Sequence, residues 1–250
     1  MLTKLNFSLT LYVKYNFIKN KREEATFMTD QIAAALALIQ PHQVVSLGGG
    51  RHMQTLADGI VARALPGIQI CSPSEVTLAY CQTLGLPTTT QIASDIAFDG
   101  CDSADKDLNL LKSNGGIHFY EKLHAQASHA YVILTAQKNV NAQLNAAVPL
   151  TLEVVSAASE QVMASAKLLG LQAKRRMATT YMGYTRTRDG NELIDCTMAE
   201  WTDIAKVDHF LASLPGVVAT SYFAHLATLL LIETPDGQVH EIKQSVNQPG

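Results

Sequence analysis

Short apolar runs that alternate with helical patterns restrict this chain to few architectures. Val44-Val45-Ser46-Leu47, Ile68-Gln69-Ile70-Cys71, Ile96-Ala97-Phe98 and Ala130-Tyr131-Val132-Ile133-Leu134 read as buried strands. A first helix begins at Thr29 or Asp30, carries Ile32, Ala35, Leu36 and Ile39 on one face, and stops before Pro41. Others run from about His52 to Ala64, from Ser72-Pro73-Ser74-Glu75, where Ser72 is the expected cap and Glu75 closes the capping box, to about Gly85, and through Ile117, Tyr120, Leu123 and Ala127. Strands and helices in this alternation predict a parallel, doubly wound sheet.

The pattern changes near Val148. Strands are expected over 150–155, 172–177, 192–196 and 217–223, with helices over 159–169 and 203–212, the latter capped by Thr202. Strand–helix–strand repeated twice is a ferredoxin-like split unit. The chain then returns through 227–232 and turns at Thr234-Pro235-Asp236-Gly237. The expected class is therefore α/β: a Rossmann-like doubly wound parallel sheet with an inserted ferredoxin-like α+β domain. The first domain comprises 28–147 and 224–250, the second 148–223. No Gly- or Ser-rich linker separates them, which predicts close packing. Residues 1–27 read as an extension outside the fold, or Met28 as the true start. Their apolar stretch, Leu9–Val13, is short, is followed by Lys14, and is neither a signal peptide nor a membrane span.

Charge and cysteine content narrow the function. A net charge of −3 without a basic stripe argues against a nucleic-acid partner. The four cysteines form no Cys-x-x-Cys pair and read as reduced thiols of a cytoplasmic protein. The eight histidines show no metal-ligand spacing; His124 and His129 are not in a zincin frame. No metal or other cofactor is expected.

Chemistry concentrates between Asp99 and Lys122. The strand at 96–98 ends in Asp99-Gly100; Asp102 and Lys112 follow, then Gly115-Gly116 and a helix bearing Glu121. Ligands of open α/β sheets bind beyond the carboxyl ends of the strands. Carboxylates and an ammonium converging there form a candidate proton-transfer site. The same pattern also describes a solvated loop beside a charged helix face. Gly48-Gly49-Gly50-Arg51-His52, at the first strand-to-helix turn, is a candidate anion site, because free N–H groups at a helix start point outward. A glycine triplet alone equally serves to permit positive φ.

These residues resemble the type A ribose-5-phosphate isomerases. Asp99-Gly100-Cys101-Asp102-Ser103 matches that family's Asp-Gly-Ala-Asp-Glu signature, and Lys112, Gly115-Gly116 and Glu121-Lys122 match its second. Pro149-Leu150-Thr151-Leu152-Glu153-Val154, Asp189-Gly190-Asn191 and Leu214-Pro215-Gly216-Val217-Val218 extend the likeness, which covers about 28–237. The resemblance implies an aldose–ketose isomerase that interconverts D-ribose 5-phosphate and D-ribulose 5-phosphate through an enediolate. It implies Glu121 as the base moving a proton between C1 and C2. Lys112 and Asp102 would hold and protonate the enediolate oxygens, and Asp99 would assist ring opening. Gly48, Gly49, Gly50, Arg51 and Lys138 would bind substrate, with Ser72, Ser74 and Thr77 lining the sugar pocket. A cytoplasmic homodimer with a sugar-phosphate ligand and no membrane partner is the corresponding expectation.

The chain departs from the family at its phosphate loop, where Gly49, Arg51 and His52 replace hydroxyl residues, and at Cys101, Ser103, Ser113 and Asn114. Cys101, where the family has Ala, reads as a small space-filler. The departures keep two alternatives open: a diverged sugar-phosphate-binding or sensor protein on the same fold, and an isomerase of another sugar phosphate.

Overall fold

The computed structural model of the chain describes residues 29–244. The expectation for residues 1–27 falls outside them. Six strands form the main sheet in the order β14-β13-β6-β3-β1-β2. They are β1 (Val44–Leu47), β2 (Gln69–Cys71), β3 (Ser94–Asp99), β6 (Ser128–Ala136), β13 (Leu229–Glu233) and β14 (Val239–Lys243). All neighbours are parallel except the β13–β14 hairpin, closed by the 234–237 turn. Side-chain alternation divides the core. Ile96, Phe98, Val132, Leu134 and Leu231 face one cluster with residues of α1 (Asp30–Ala37) and α2 (Arg51–Arg63). Ala97, Tyr131, Ile133, Leu230 and Ile232 face another, shared with α4 (His118–Ala127). Thr29 caps α1, accepting from the Ile32 N–H. The helix between β2 and β3, α3 (Glu75–Thr83), is capped by Ser74 rather than Ser72. Ser72 instead donates to the Leu47 carbonyl and accepts from the Ser74 N–H.

The second sheet has the order β11-β8-β10-β9, every pair antiparallel. It contains β8 (Leu150–Val154), β9 (Gln172–Arg175), β10 (Glu192–Thr197) and β11 (Val217–Thr220), with α5 (Ser159–Leu168) and α6 (Ile204–Ala212). This is the ferredoxin-like arrangement. At α6, Asp203 occupies the cap position without a side-chain cap bond, and Thr202 does not cap.

A third sheet, β12-β5-β4-β7, was not expected. Its members are β4 (Ser103–Asp105), β5 (Leu110–Leu111), β7 (Val140–Asn141) and β12 (Tyr222–Phe223). The expected strand 217–223 is thus two strands in two sheets, separated by Ser221. Ser221 donates its N–H to the Thr151 carbonyl (2.8 Å) and accepts the Lys112 N–H at its own carbonyl (2.9 Å). Its hydroxyl accepts the Thr151 N–H (2.8 Å). Leu111 and Tyr222 pack into the second sheet's core, while Leu110 and Phe223 pack under the first sheet. Neighbouring residues of a strand point to opposite faces, so this small sheet joins the two larger ones.

Candidate active site

Asp99 is the last residue of β3, beside the end of β1, where Gly48 donates its N–H to the Phe98 carbonyl (2.8 Å). A Cβ on Gly48 would lie 2.2 Å from the Asp99 carboxyl carbon. Gly48 therefore makes room for the Asp99 carboxylate, and its N–H is spent on the strand rather than on an anion. The Gly100 N–H donates to Asp99 Oδ1 (2.8 Å), and the Tyr131 hydroxyl to Oδ2 (3.3 Å).

Lys112 follows β5, and Glu121 lies in the first turn of α4. Lys112 Nζ is 3.1 Å from Asp99 Oδ2 and 3.3 Å from Glu121 Oε1, and donates to the Gly100 carbonyl at 2.6 Å. All three ionisable side chains are nearly inaccessible, at 4–7% exposure. Burial works against the Lys112 charge, yet Asp99 and Glu121 outweigh it and hold the ammonium above its ordinary pKa. Burial, reinforced by the Asp99 charge, raises the Glu121 carboxyl to about 8 against the opposing pull of Lys112. Glu121 Oε2 is buried and has no hydrogen-bond partner among the described residues. That free oxygen is where a proton taken from a ligand would come to rest.

Asp102 sits beside this cluster but is otherwise engaged. Its Oδ2 accepts the N–H groups of Ser113 (2.7 Å) and Asn114 (2.9 Å), and its Oδ1 accepts the Asn114 side-chain amide. These three bonds tie Asp102 to the backbone and side chain that directly follow Lys112, a geometry that suits clamping of the Lys112 turn. Sequence alone did not show this, because the bonds join Asp102 to residues 11 and 12 positions away.

These groups share a cavity of about 280 Å³, lined by Gly49, Gly50, Asp99–Asp102, Lys112, Asn114, Gly115, Ile117 and Glu121. At one end α2 begins: Gly50, at φ +94°, occupies the cap position without a side chain, leaving first-turn N–H groups free. Arg51 is exposed at the first helical position. Lys138 is not brought to the site. It is exposed and lines a separate cavity with Gln137, Glu233 and Thr234. Ser72, Ser74 and Thr77 are not among the residues that line this cavity; Ser74 is buried beside Gly49, and the buried Thr77 hydroxyl has no partner among the described residues. Cys101 lines the cavity; burial raises its thiol to about 11, which suits a neutral filler rather than a nucleophile. Among the described residues no group of three or more His, Cys, Asp or Glu is arranged to hold a metal ion.

The family model for ribose 5-phosphate isomerase A (phosphoriboisomerase A) matches residues 69–237, a stretch that contains the buried charge cluster but not the glycine turn. A ribose-5-phosphate isomerase A of Roseiflexus sp. is 30% identical over 86% of this chain and 94% of its own length. One from Synechococcus sp. (strain CC9311) is 31% identical over 82% and 90%. Among solved structures, ribose 5-phosphate isomerase A from Methanocaldococcus jannaschii superposes with a TM-score of 0.79 at 25% identity, covering 85% of this chain and 96% of that one. Sequence, fold and the buried Asp–Lys–Glu cluster agree: the chain belongs to the ribose 5-phosphate isomerase A family.

Proposed function

We infer that this chain interconverts D-ribose 5-phosphate and D-ribulose 5-phosphate, a reaction of the non-oxidative pentose phosphate pathway. One observation carries the residue assignment: a single buried ammonium lies 3.1 and 3.3 Å from two carboxylates, one of which keeps a free oxygen. Asp99 moves the proton that opens the furanose ring. Glu121 takes the C2 proton of the open-chain aldose and returns it to C1, while a proton passes between the two oxygens and the electrons shift through an enediolate. Lys112 faces the charge that develops on those oxygens. A base raised to about 8 is strong enough for a carbon-bound proton and still ionised for part of the time near neutrality. Asp102 holds the loop that carries Lys112. The phosphate lies against Gly49 and Gly50 and the α2 N-terminus, with Arg51 at the rim.

The division of the chain into 28–147 with 224–250, and 148–223, accompanies this reading, with chemistry on the first unit and loop support from the second. No helix among the described residues is long and apolar enough to cross a membrane. A cytoplasmic homodimer is the state we assign. The free cysteines fit a reducing compartment, and sedimentation equilibrium checks the dimer. A coupled assay of ribose 5-phosphate conversion tests the activity. Tight binding of the sugar phosphate without turnover would favour a sensor, and faster turnover of a different sugar phosphate would reassign the substrate.

A further inference from the structure

The loop that presents Lys112 belongs to the first unit in sequence, but its backbone is held by the second. The Lys112 N–H donates to Ser221, and the Ser113 hydroxyl donates to the Pro149 carbonyl. The Ser113 carbonyl accepts from Arg176 Nη2 at 2.8 Å. Arg176 lies one residue beyond β9 and is itself fixed. Its Nε donates to Asp195 Oδ2 (2.9 Å), its Nη2 to Asp195 Oδ1, and Nη2 also lies 3.0 Å from Thr151 Oγ1. The Thr151 hydroxyl donates to Asp195 Oδ1 (2.7 Å). One planar fork thus ties β8, β9 and β10 to the residue that follows Lys112.

We infer that Arg176 is a positioning residue for proton transfer: by gripping the Ser113 carbonyl it keeps the Lys112 ammonium seated between Asp99 and Glu121. The inference rests on the isomerase reading and deepens it. The Lys112–Glu121 separation of 3.3 Å is already at the long end for a direct charged hydrogen bond. A small shift of the loop would open it. Arg176 is one-fifth exposed, so as a bare charge it is partly screened. Its value is geometric: a lysine gathers its donors on one nitrogen and lacks the planar fork that spans the Asp195 carboxylate from two nitrogens while reaching the Ser113 carbonyl.

The experiment compares wild type, Arg176→Lys and Arg176→Met in the ribose 5-phosphate assay, with thermal melts on each. We expect kcat to fall roughly 10- to 100-fold in both variants, KM to change less than about threefold, and added guanidinium ion to restore part of the Arg176→Met loss. The acid limb of the pH–rate profile should move to higher pH. The charged and titratable groups that face Glu121 are Asp99 on β3, Tyr131 on β6, and Asp102 and Lys112 on the loops; of these only Lys112 lowers its pKa, so loosening Lys112 weakens the acid. If Arg176→Lys keeps wild-type kcat and pH profile, the inference is overturned. It is equally overturned if the loss follows the melting temperature alone and guanidinium does nothing. Should Arg176→Met fail to fold, Arg176→Lys decides. A wild-type chain that does not turn over ribose 5-phosphate sinks the isomerase reading and this inference together.

Discussion

At one end of the cavity, three ionisable side chains are buried against one another. At the other, a glycine turn offers backbone N–H groups and an exposed arginine. The charged end is fixed before any ligand arrives: Asp99 is held by Gly100 and Tyr131, Lys112 by the Gly100 carbonyl, and Asp102 secures the intervening loop. Desolvation makes each interaction there stronger and each misplacement more costly. The glycine end rests on main-chain geometry, which tolerates side-chain change. The residues matched by the family model begin beyond it, at position 69.

The sharpest test of that contrast is Glu121→Gln. It removes the proposed base while keeping the shape, and should lower kcat by about a thousandfold, within the range for lost general base catalysis, with KM little changed. Gly48→Ala comes next. The added methyl collides with the Asp99 carboxylate, and a displacement of about 1 Å there should cost on the order of a hundredfold in kcat/KM. A crystal structure of the variant would show Asp99 moved. Near-wild-type activity would mean that Gly48 is not a spacer.

The third test is pH. If Glu121 is the base proposed here it must be ionised to act, and kcat/KM should then rise with pH and level off above about 8. Stability should run the other way. A carboxyl whose folded pKa exceeds its unfolded value of 4.5 stabilises the fold fully below 4.5, and that contribution is lost as pH rises through about 8. Thermal melts should therefore show wild type losing stability relative to Glu121→Gln across that window. A constant difference between the two would contradict the raised value. The smallest expected effect is that of Arg51→Ala. An exposed ionic contact contributes up to about 1 kcal/mol, so KM for the phosphorylated sugar should rise no more than about fivefold, with kcat unchanged. A loss comparable with that of Glu121→Gln would break the contrast between the two ends.

Much of this was legible in the residues because strong local signals agreed. The runs at 44–47 and 96–98 are strands ended by turn residues, which places Asp99 at a strand end, and the helical pattern that follows Gly115-Gly116 places Glu121 in a first turn. What could not be read was the work of contacts between distant segments. Ser221 looks like any strand serine, and only the three backbone partners around it divide the expected strand. β5 and β12 are two residues each, too short for any periodicity. Ser72 and Ser74 are both good caps, and the choice between them falls to the Leu47 carbonyl that captures Ser72. Asp102 looked like an acid among acids until Asn114 and two N–H groups enclosed it. Lys138 follows the end of β6 and lines a cavity with Glu233 and Thr234 instead of the one that holds the charge cluster, which sequence order does not reveal.

The junction at Ser221 bears on how such a protein can be rearranged. Lys112 takes its backbone support from Ser221, which lies between β11 and β12. Deleting the proposed insert, 148–223, to obtain a minimal catalyst would strip the Lys112 loop of its Ser221, Pro149 and Arg176 contacts and leave Asp102 to hold it. Shuffling the insert between distant relatives should succeed only when the serine and the turn it supports travel together, making the two halves heritable as one piece.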